Sequence, residues 1–251
     1  MIEAHQSCHI ETFLEMLVAE RGLAANTIEA YERDLTEFTA FCVSQGKDTA
    51  SATARDLSLY MGKLCADTMS ASTQARRLSA LKQYYKFLQA EAIRRDNPST
   101  ILQSPKKGKH LPKILSEAQV TLLLETAAVD ESANGLRLTA LLEVLYATGL
   151  RVSELISLPL ISVIDDRDVL IVQGKGKKER MVPIGRPAKQ AVKAYKKVRS
   201  NFLRGLNKSS WLFPSNSKTG HLTRQRLGQQ LKELALKAGI DPTKVSPHVL
   251  R

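Results

Sequence analysis

The 251-residue chain is 43% hydrophobic and carries a formal net charge of +12, with a pI near 9.7. That apolar content excludes a disordered chain, and the length suits one large domain or two smaller ones with separate cores. No basic and apolar leader follows Met1, the greasiest run (Leu136 to Leu150) is broken by Arg137 and Glu143, and Cys8, Cys42 and Cys65 lack metal-ligand spacing, which argues against a secretory signal, a membrane span and a disulfide or zinc scaffold.

The first hundred residues predict four amphipathic helices. Ile10, Phe13, Leu14, Leu17 and Val18 follow the 3.6-residue period and stop at Gly22. Asn26 is the expected N-cap of the second helix, whose apolar stripe is Ile28, Tyr31, Leu35, Phe38 and Cys42, with Gly46 as its stop. A third, shorter helix holds Leu57, Tyr60, Met61 and Leu64. The fourth starts near Ser70 or Ser72, buries Leu78, Leu81, Tyr85 and Leu88, and is expected to break at Asp96-Asn97-Pro98. Arg76, Arg77, Lys82 and Lys86 lie off its apolar stripe and make a candidate DNA-facing surface, or an ordinary solvated face.

Ser104 to Pro112 holds two prolines, a glycine and the lysines Lys106, Lys107 and Lys109, with almost nothing to bury. It reads as a basic linker able to cross a phosphate backbone, or as a plain tether. Beyond it, Ser116 and Gln119 have capping-box spacing ahead of Val120, Leu123, Leu124 and Ala127. The next helix packs Leu138, Leu141, Leu142 and Leu145 and ends at Gly149. Ile161 to Gln173 and Arg180 to Ile184 predict strands joined by the glycine-rich turn Gly174 to Lys178. A helix from about Pro187 to Leu203 carries Lys189, Lys193, Lys196, Lys197 and Arg199. Trp211 to Pro214 is a short buried strand or turn. Thr223 caps a helix with Leu227, Leu231, Leu234 and Ala238 inward and Gly239 as its stop. Ser246-Pro247 then has the form of an N-cap with proline at the first helical position.

The charge is divided unevenly. Residues 1–100 carry 11 Lys+Arg against 13 Asp+Glu, and residues 101–251 carry 26 against 12, so the whole excess lies in the second part. A surplus of that kind points to a polyanionic partner, most often nucleic acid. Gly174-Lys175-Gly176 lacks Walker spacing, which argues against an ATPase, and no carboxylate or histidine cluster has ligand spacing, which argues against a metal nuclease.

Four residues suit phosphodiester chemistry. Arg151 sits at a joint between two helices, Lys175 on a hairpin tip, and His248 and Arg251 three apart on one helical face. Two guanidinium forks can bind non-bridging oxygens and stabilise a pentavalent phosphorane. A lysine can protonate the leaving oxygen and a histidine can accept the nucleophile's proton. No metal or other cofactor is called for. Each residue alone has a structural alternative: Arg151 can pair with Glu154 or Glu143, Lys175 can be a solvated turn lysine, and His248 can meet a carbonyl.

Ala147 to Leu155, Gly174 to Arg180 and His248 to Arg251 resemble the boxes of the tyrosine recombinases, the phage integrase family, and the likeness covers essentially the whole chain. Asn26 to Leu35, Leu212 to Pro214 and Gly220 to Arg224 resemble the Xer subgroup. The resemblance implies a mainly α fold with a small antiparallel β-sheet. It divides into a four-helix SAM-like core-binding domain at residues 1–103, the linker at 104–112, and an incomplete α+β catalytic domain at 113–251. It also implies that Arg151 and Arg251 are the two catalytic arginines, Lys175 the general acid and His248 the histidine of the His-x-x-Arg box. In such enzymes a tyrosine attacks the phosphate, forms a 3′-phosphotyrosyl link and is released by a 5′ hydroxyl of the partner duplex, with no ATP used.

The family pattern continues past Arg251 to a further His or Trp box and the nucleophile. None of Tyr31, Tyr60, Tyr84, Tyr85, Tyr146 and Tyr195 fits that place, so no nucleophile is assigned and the chain as given is expected to bind DNA without forming a covalent adduct. The implied partners are a duplex recombination site, a related recombinase subunit in a tetramer on DNA, and a DNA translocase, in cytoplasmic chromosome dimer resolution and segregation. The alternative is a DNA-binding module that does no chemistry.

Overall fold

The computed structural model describes residues 2–105, 114–163, 168–174, 179–203 and 208–250, with side chains of the first helix from residue 9 onward. The chain divides into two compact units, Met1–His110 and Leu111–Arg251, each with its own core.

The first unit is four helices: α1 (Ile2–Ala19), α2 (Ala25–Ser44), α3 (Ala54–Ala66) and α4 (Ala71–Ala90). Their apolar stripes meet in an aromatic core. Phe13, Phe38, Tyr84 and Tyr85 are fully buried, and Phe38 meets Tyr60 edge-on with ring centroids 5.0 Å apart. Such ring pairs add roughly 1 kcal/mol each beyond the area they bury. The buried phenols find partners: Tyr85 donates to the Thr49 carbonyl at 2.7 Å, and Tyr84 shares a hydrogen bond with the Thr49 hydroxyl at 3.3 Å.

Three local expectations are corrected. Val18 is more than half exposed, at the edge of the stripe. Asn26 lies inside α2, whose N-cap is Ala24 with no side-chain bond. The helix start is set instead by Leu23 and Ile28, which flank Ala24 at hydrophobic-staple spacing and pack on the same core. The fourth helix ends at Ala90, before Asp96-Asn97-Pro98. Ala92 turns left-handed (φ 55°), and the amides of Ile93 and Arg94 fold back to the Leu88 carbonyl. Arg94 locks this exit by donating to the carbonyls of Ala50 (2.6 Å) and Ala52 (2.8 Å) and pairing with Asp96. Tertiary capture by one arginine therefore ends the helix ahead of the proline.

The second unit contains α5 (Glu117–Ala128), α6 (Ala133–Thr148), α7 (Val152–Ile156), the strands β1 (Val169–Gln173) and β2 (Glu179–Pro183), α8 (Arg186–Val198) and α9 (Arg224–Lys237). The Ser116–Gln119 capping box is formed in both directions. β1 and β2 are antiparallel, with Val169 opposite Pro183 and Gln173 opposite Glu179, and Leu170 and Val172 point into the core. Of the strand expected over Ile161 to Gln173, β1 covers Val169–Gln173, and residues 164–167 lie outside the described residues. Leu160–Ser162 forms a 3₁₀ turn because the Leu160 amide is drawn to the Ser210 carbonyl at 2.7 Å. The helix expected to reach Leu203 tightens to 3₁₀ after Val198. There Arg199 donates to the carbonyls of Ser209, Trp211 and Leu212. Arg137, one of the two charges in the greasiest run, is buried with its guanidinium 3.9 Å from the Phe202 ring centroid. Among the described residues no helix is long and apolar enough to cross a membrane.

Candidate active site

The site is built on the joint between α6 and α7. Gly149 takes a left-handed conformation (φ 57°) and ends α6 on the Leu145 carbonyl at 2.9 Å. A residue with a Cβ is strained in that conformation, so glycine is the favoured stop. Leu150 and Leu155 are fully buried on either side of Arg151, which leaves Arg151 as the extended N-cap of α7.

An arginine cannot accept a bond from the helix amides, and Glu154 supplies the bond in reverse. Its carboxylate accepts the Arg151 backbone N–H at 2.8 Å and the Arg151 guanidinium at 3.1 Å. Glu154 is only 8% exposed, while the Arg151 side chain is 58% exposed. One guanidinium edge is thus held by a fixed anion, and the side chain still offers further donors to solvent. Glu154 accepts a second fork from Arg180 on β2, at 3.2 and 2.9 Å. Burial alone would push the Glu154 carboxyl up, but the bonds from Arg180, the Arg151 amide and the Arg151 guanidinium outweigh it and hold the group down at about 2. Glu154 is therefore an anion at any physiological pH, tying the α6–α7 joint to the hairpin strand. Glu143, the other carboxylate considered for Arg151, is raised by burial.

Arg180 is the residue that sequence reasoning passed over. It stood in the hairpin box as one more basic residue, and only the strand register brings it to Glu154. Of the four candidate catalytic residues, the structure describes two. His248 is exposed in a turn at 247–250, where the amides of Val249 and Leu250 point to the Ser246 carbonyl and Val245 and Leu250 are buried in the core. Lys175 and Arg251 lie outside the described residues, as do Lys106, Lys107 and Lys109.

The expected basic face of α4 is divided. Arg77 is buried, hydrogen-bonded to the Tyr60 hydroxyl at 3.1 Å and paired with Glu37 and Asp34. Its position off the stripe faces α2 and not solvent, which corrects its placement on the outer surface. Arg76 is exposed but also pairs with Asp34. Lys82 is half-buried and Lys86 is exposed.

Four tyrosines are structural. Burial pushes the phenols of Tyr60 and Tyr85 up, and those of Tyr84 and Tyr195 up to about 12. A buried phenol of that kind neither reaches a phosphate nor ionises readily.

The phage integrase family model matches residues 113–251, and the model of the phage integrase N-terminal SAM-like domain matches residues 10–92. The chain belongs to the phage integrase family. It is, by that membership, a tyrosine recombinase, an enzyme of site-specific DNA recombination. It is 47% identical to tyrosine recombinase XerD of Rhizobium meliloti over 251 residues, covering 98% of this chain and 80% of that one. It is 46% identical to XerD of Caulobacter vibrioides over 242 residues, covering 96% and 79%. The fold is also that of two solved structures at 19% identity. One is the integrase of transposon Tn1549 in complex with circular intermediate DNA, with a TM-score of 0.73 and coverage of 96% and 83%. The other is XerH recombinase bound to a palindromic difH substrate, with a TM-score of 0.70 and coverage of 92% and 68%.

Proposed function

We propose that this integrase-family chain grips one phosphate of a duplex recombination site between Arg151 and Arg251. Lys175 serves as general acid on the leaving 5′ oxygen, and His248 manages the nucleophile's proton. Strand cleavage and rejoining run through a 3′-phosphotyrosyl link, a role that the buried Tyr60, Tyr84, Tyr85 and Tyr195 do not fill. The process served is chromosome dimer resolution and segregation, in the cytoplasm. A related recombinase subunit shares the tetramer, and a DNA translocase acts on the assembly. Residues 1–103 and 113–251 hold the duplex as separate domains joined by the basic linker 104–112.

The observation that carries this reading is the buried Glu154 anion, which accepts Arg180 and Arg151 and leaves Arg151 exposed. A guanidinium braced in this way meets a phosphoryl group without reorganising, which is where preorganised electrostatics gain most. Two steps test it. Duplexes enriched by the chain from a random pool are expected to share one sequence motif. On that motif, a methylphosphonate at the gripped phosphate is expected to weaken wild-type binding about tenfold, roughly one charge-assisted hydrogen bond, and to weaken the Arg151→Ala variant less, because only Arg251 is left to lose its contact there. Equal losses in both proteins at every phosphate would refute the assignment of Arg151.

A further inference from the structure

α8 presents a charged surface that the strand-exchange chemistry does not use. At 100° per residue, Arg186, Lys189, Lys193, Lys196 and Lys197 fall within an arc of about 100°. The opposite side holds Ala188, Val192 and Tyr195, all buried in the core of the second unit. The helix contains no acidic residue, and between Glu179 and Glu233 the chain has thirteen Lys or Arg and no Asp or Glu. Among the described residues, Asp168, from outside this stretch, meets Lys189 at 2.7 Å and is itself 83% exposed. An exposed pair of that kind yields easily to a competing anion. The face is also braced at its far end, where Arg199 holds three carbonyls of the Ser209–Leu212 segment.

A stripe of like charges on one helix repels itself, at a few tenths of a kcal/mol per neighbouring pair. A polyanion relieves that repulsion. The helix is about 20 Å long, which matches several successive phosphates of a duplex. The stripe itself is lysine apart from Arg186, and lysine acts on phosphate as a point charge without the planar fork that reads carboxylate or base edges. The pattern therefore fits a regular phosphate backbone better than an acidic protein surface, where carboxylates are irregularly placed.

We propose that the Arg186–Lys197 stripe of α8 is a second, sequence-independent binding surface for duplex DNA, separate from the Arg151 site. The choice of DNA as the polyanion rests on the recombinase reading. The surface itself is tested without any strand exchange.

The first measurement is lysine acetylation of the full chain, read by mass spectrometry, with and without a 30-base-pair duplex of random sequence. Lys193 and Lys197 are expected to be protected at least threefold by the duplex, and not by poly-glutamate at equal charge. Protection by poly-glutamate alone would assign the face to an acidic protein and overturn the proposal, and no protection by either would leave it a solvated face and overturn it too. The second measurement compares K189Q/K193Q/K197Q with the charge-matched control R21Q/R55Q/K63Q. The α8 variant is expected to lose about tenfold in random-duplex affinity near 0.1 M salt and to flatten the salt dependence by a slope of nearly 3. An equal loss in the control would reduce the effect to net charge and refute the surface. Because the duplex is random, failure of the enriched-motif experiment leaves these results readable.

Discussion

The two units differ in what their most closely paired cations do. In the first, three arginines serve the fold. Arg76 and Arg77 pair with Asp34, Arg77 also meets Glu37 and Tyr60, and Arg94 clamps the exit of α4. In the second, Arg137 and Arg199 also brace the fold, but Arg151 and Arg180 meet on a single buried carboxylate with much of each side chain exposed, and α8 shows a row of lysines with no acid among them. A cation paired inside a unit contributes to stability and is unavailable to a ligand. One left facing water lowers stability slightly and is available.

The largest expected effect breaks this contrast at Arg77. Arg77→Ala leaves Asp34 and Glu37 without their buried partner and should cost about 4 kcal/mol in urea unfolding. DNA affinity of the fraction that remains folded should be unchanged. A loss of affinity without a loss of stability would place Arg77 on a binding surface after all. Next is Glu154→Gln, expected to cost about 3 kcal/mol and to loosen both Arg151 and Arg180. If Glu154 only packs, the substitution will leave phosphate-specific DNA binding intact. Arg180→Lys keeps the charge but loses the fork, so a fall in Arg151-dependent binding with a smaller stability loss separates geometry from charge.

The same carboxylate sets an acid limit. Glu154 is held down at about 2 against an ordinary value of 4.5, so its contribution is complete above about 4.5 and is lost as pH falls toward 2. Stability followed from pH 6 to 2 should drop less steeply in Glu154→Gln than in the wild type. A smaller effect is expected at Thr53, whose capping box with Asp56 opens α3. Thr53→Ala should cost about 1 kcal/mol and leave DNA binding alone. Smallest is the pair Lys82→Gln and Lys86→Gln, within about 0.5 kcal/mol by thermal melting. If neutralising these two lysines weakened DNA binding as much as the α8 variant, the contrast between the units would fail.

Much of this molecule was legible in its residues. The 3.6-residue stripes located the helices because burial of one face is a local pattern with a tertiary purpose. Gly149, Gly46 and Gly239 marked helix stops because only a residue without Cβ turns left-handed there at little cost, and Ser116 and Thr223 announced their helices through short-range bonds. Arg151 stood out because a glycine stop and a new helix bracketed it. The early end of α4, the 3₁₀ turn at Leu160–Ser162 and the burial of Arg77 were not legible, since each depends on a partner remote in sequence: Arg94 on Ala50 and Ala52, Leu160 on Ser210, Arg77 on Asp34 and Glu37. Arg180 is the sharpest case. Its charge was plain in the sequence, but whether it faced DNA, water or Glu154 was decided by strand register across 26 residues. Helix periods and caps are local energies and can be read along the chain. The pairing of a buried charge is settled only when distant segments pack, because the cost of leaving it unpaired arises only after water has been removed.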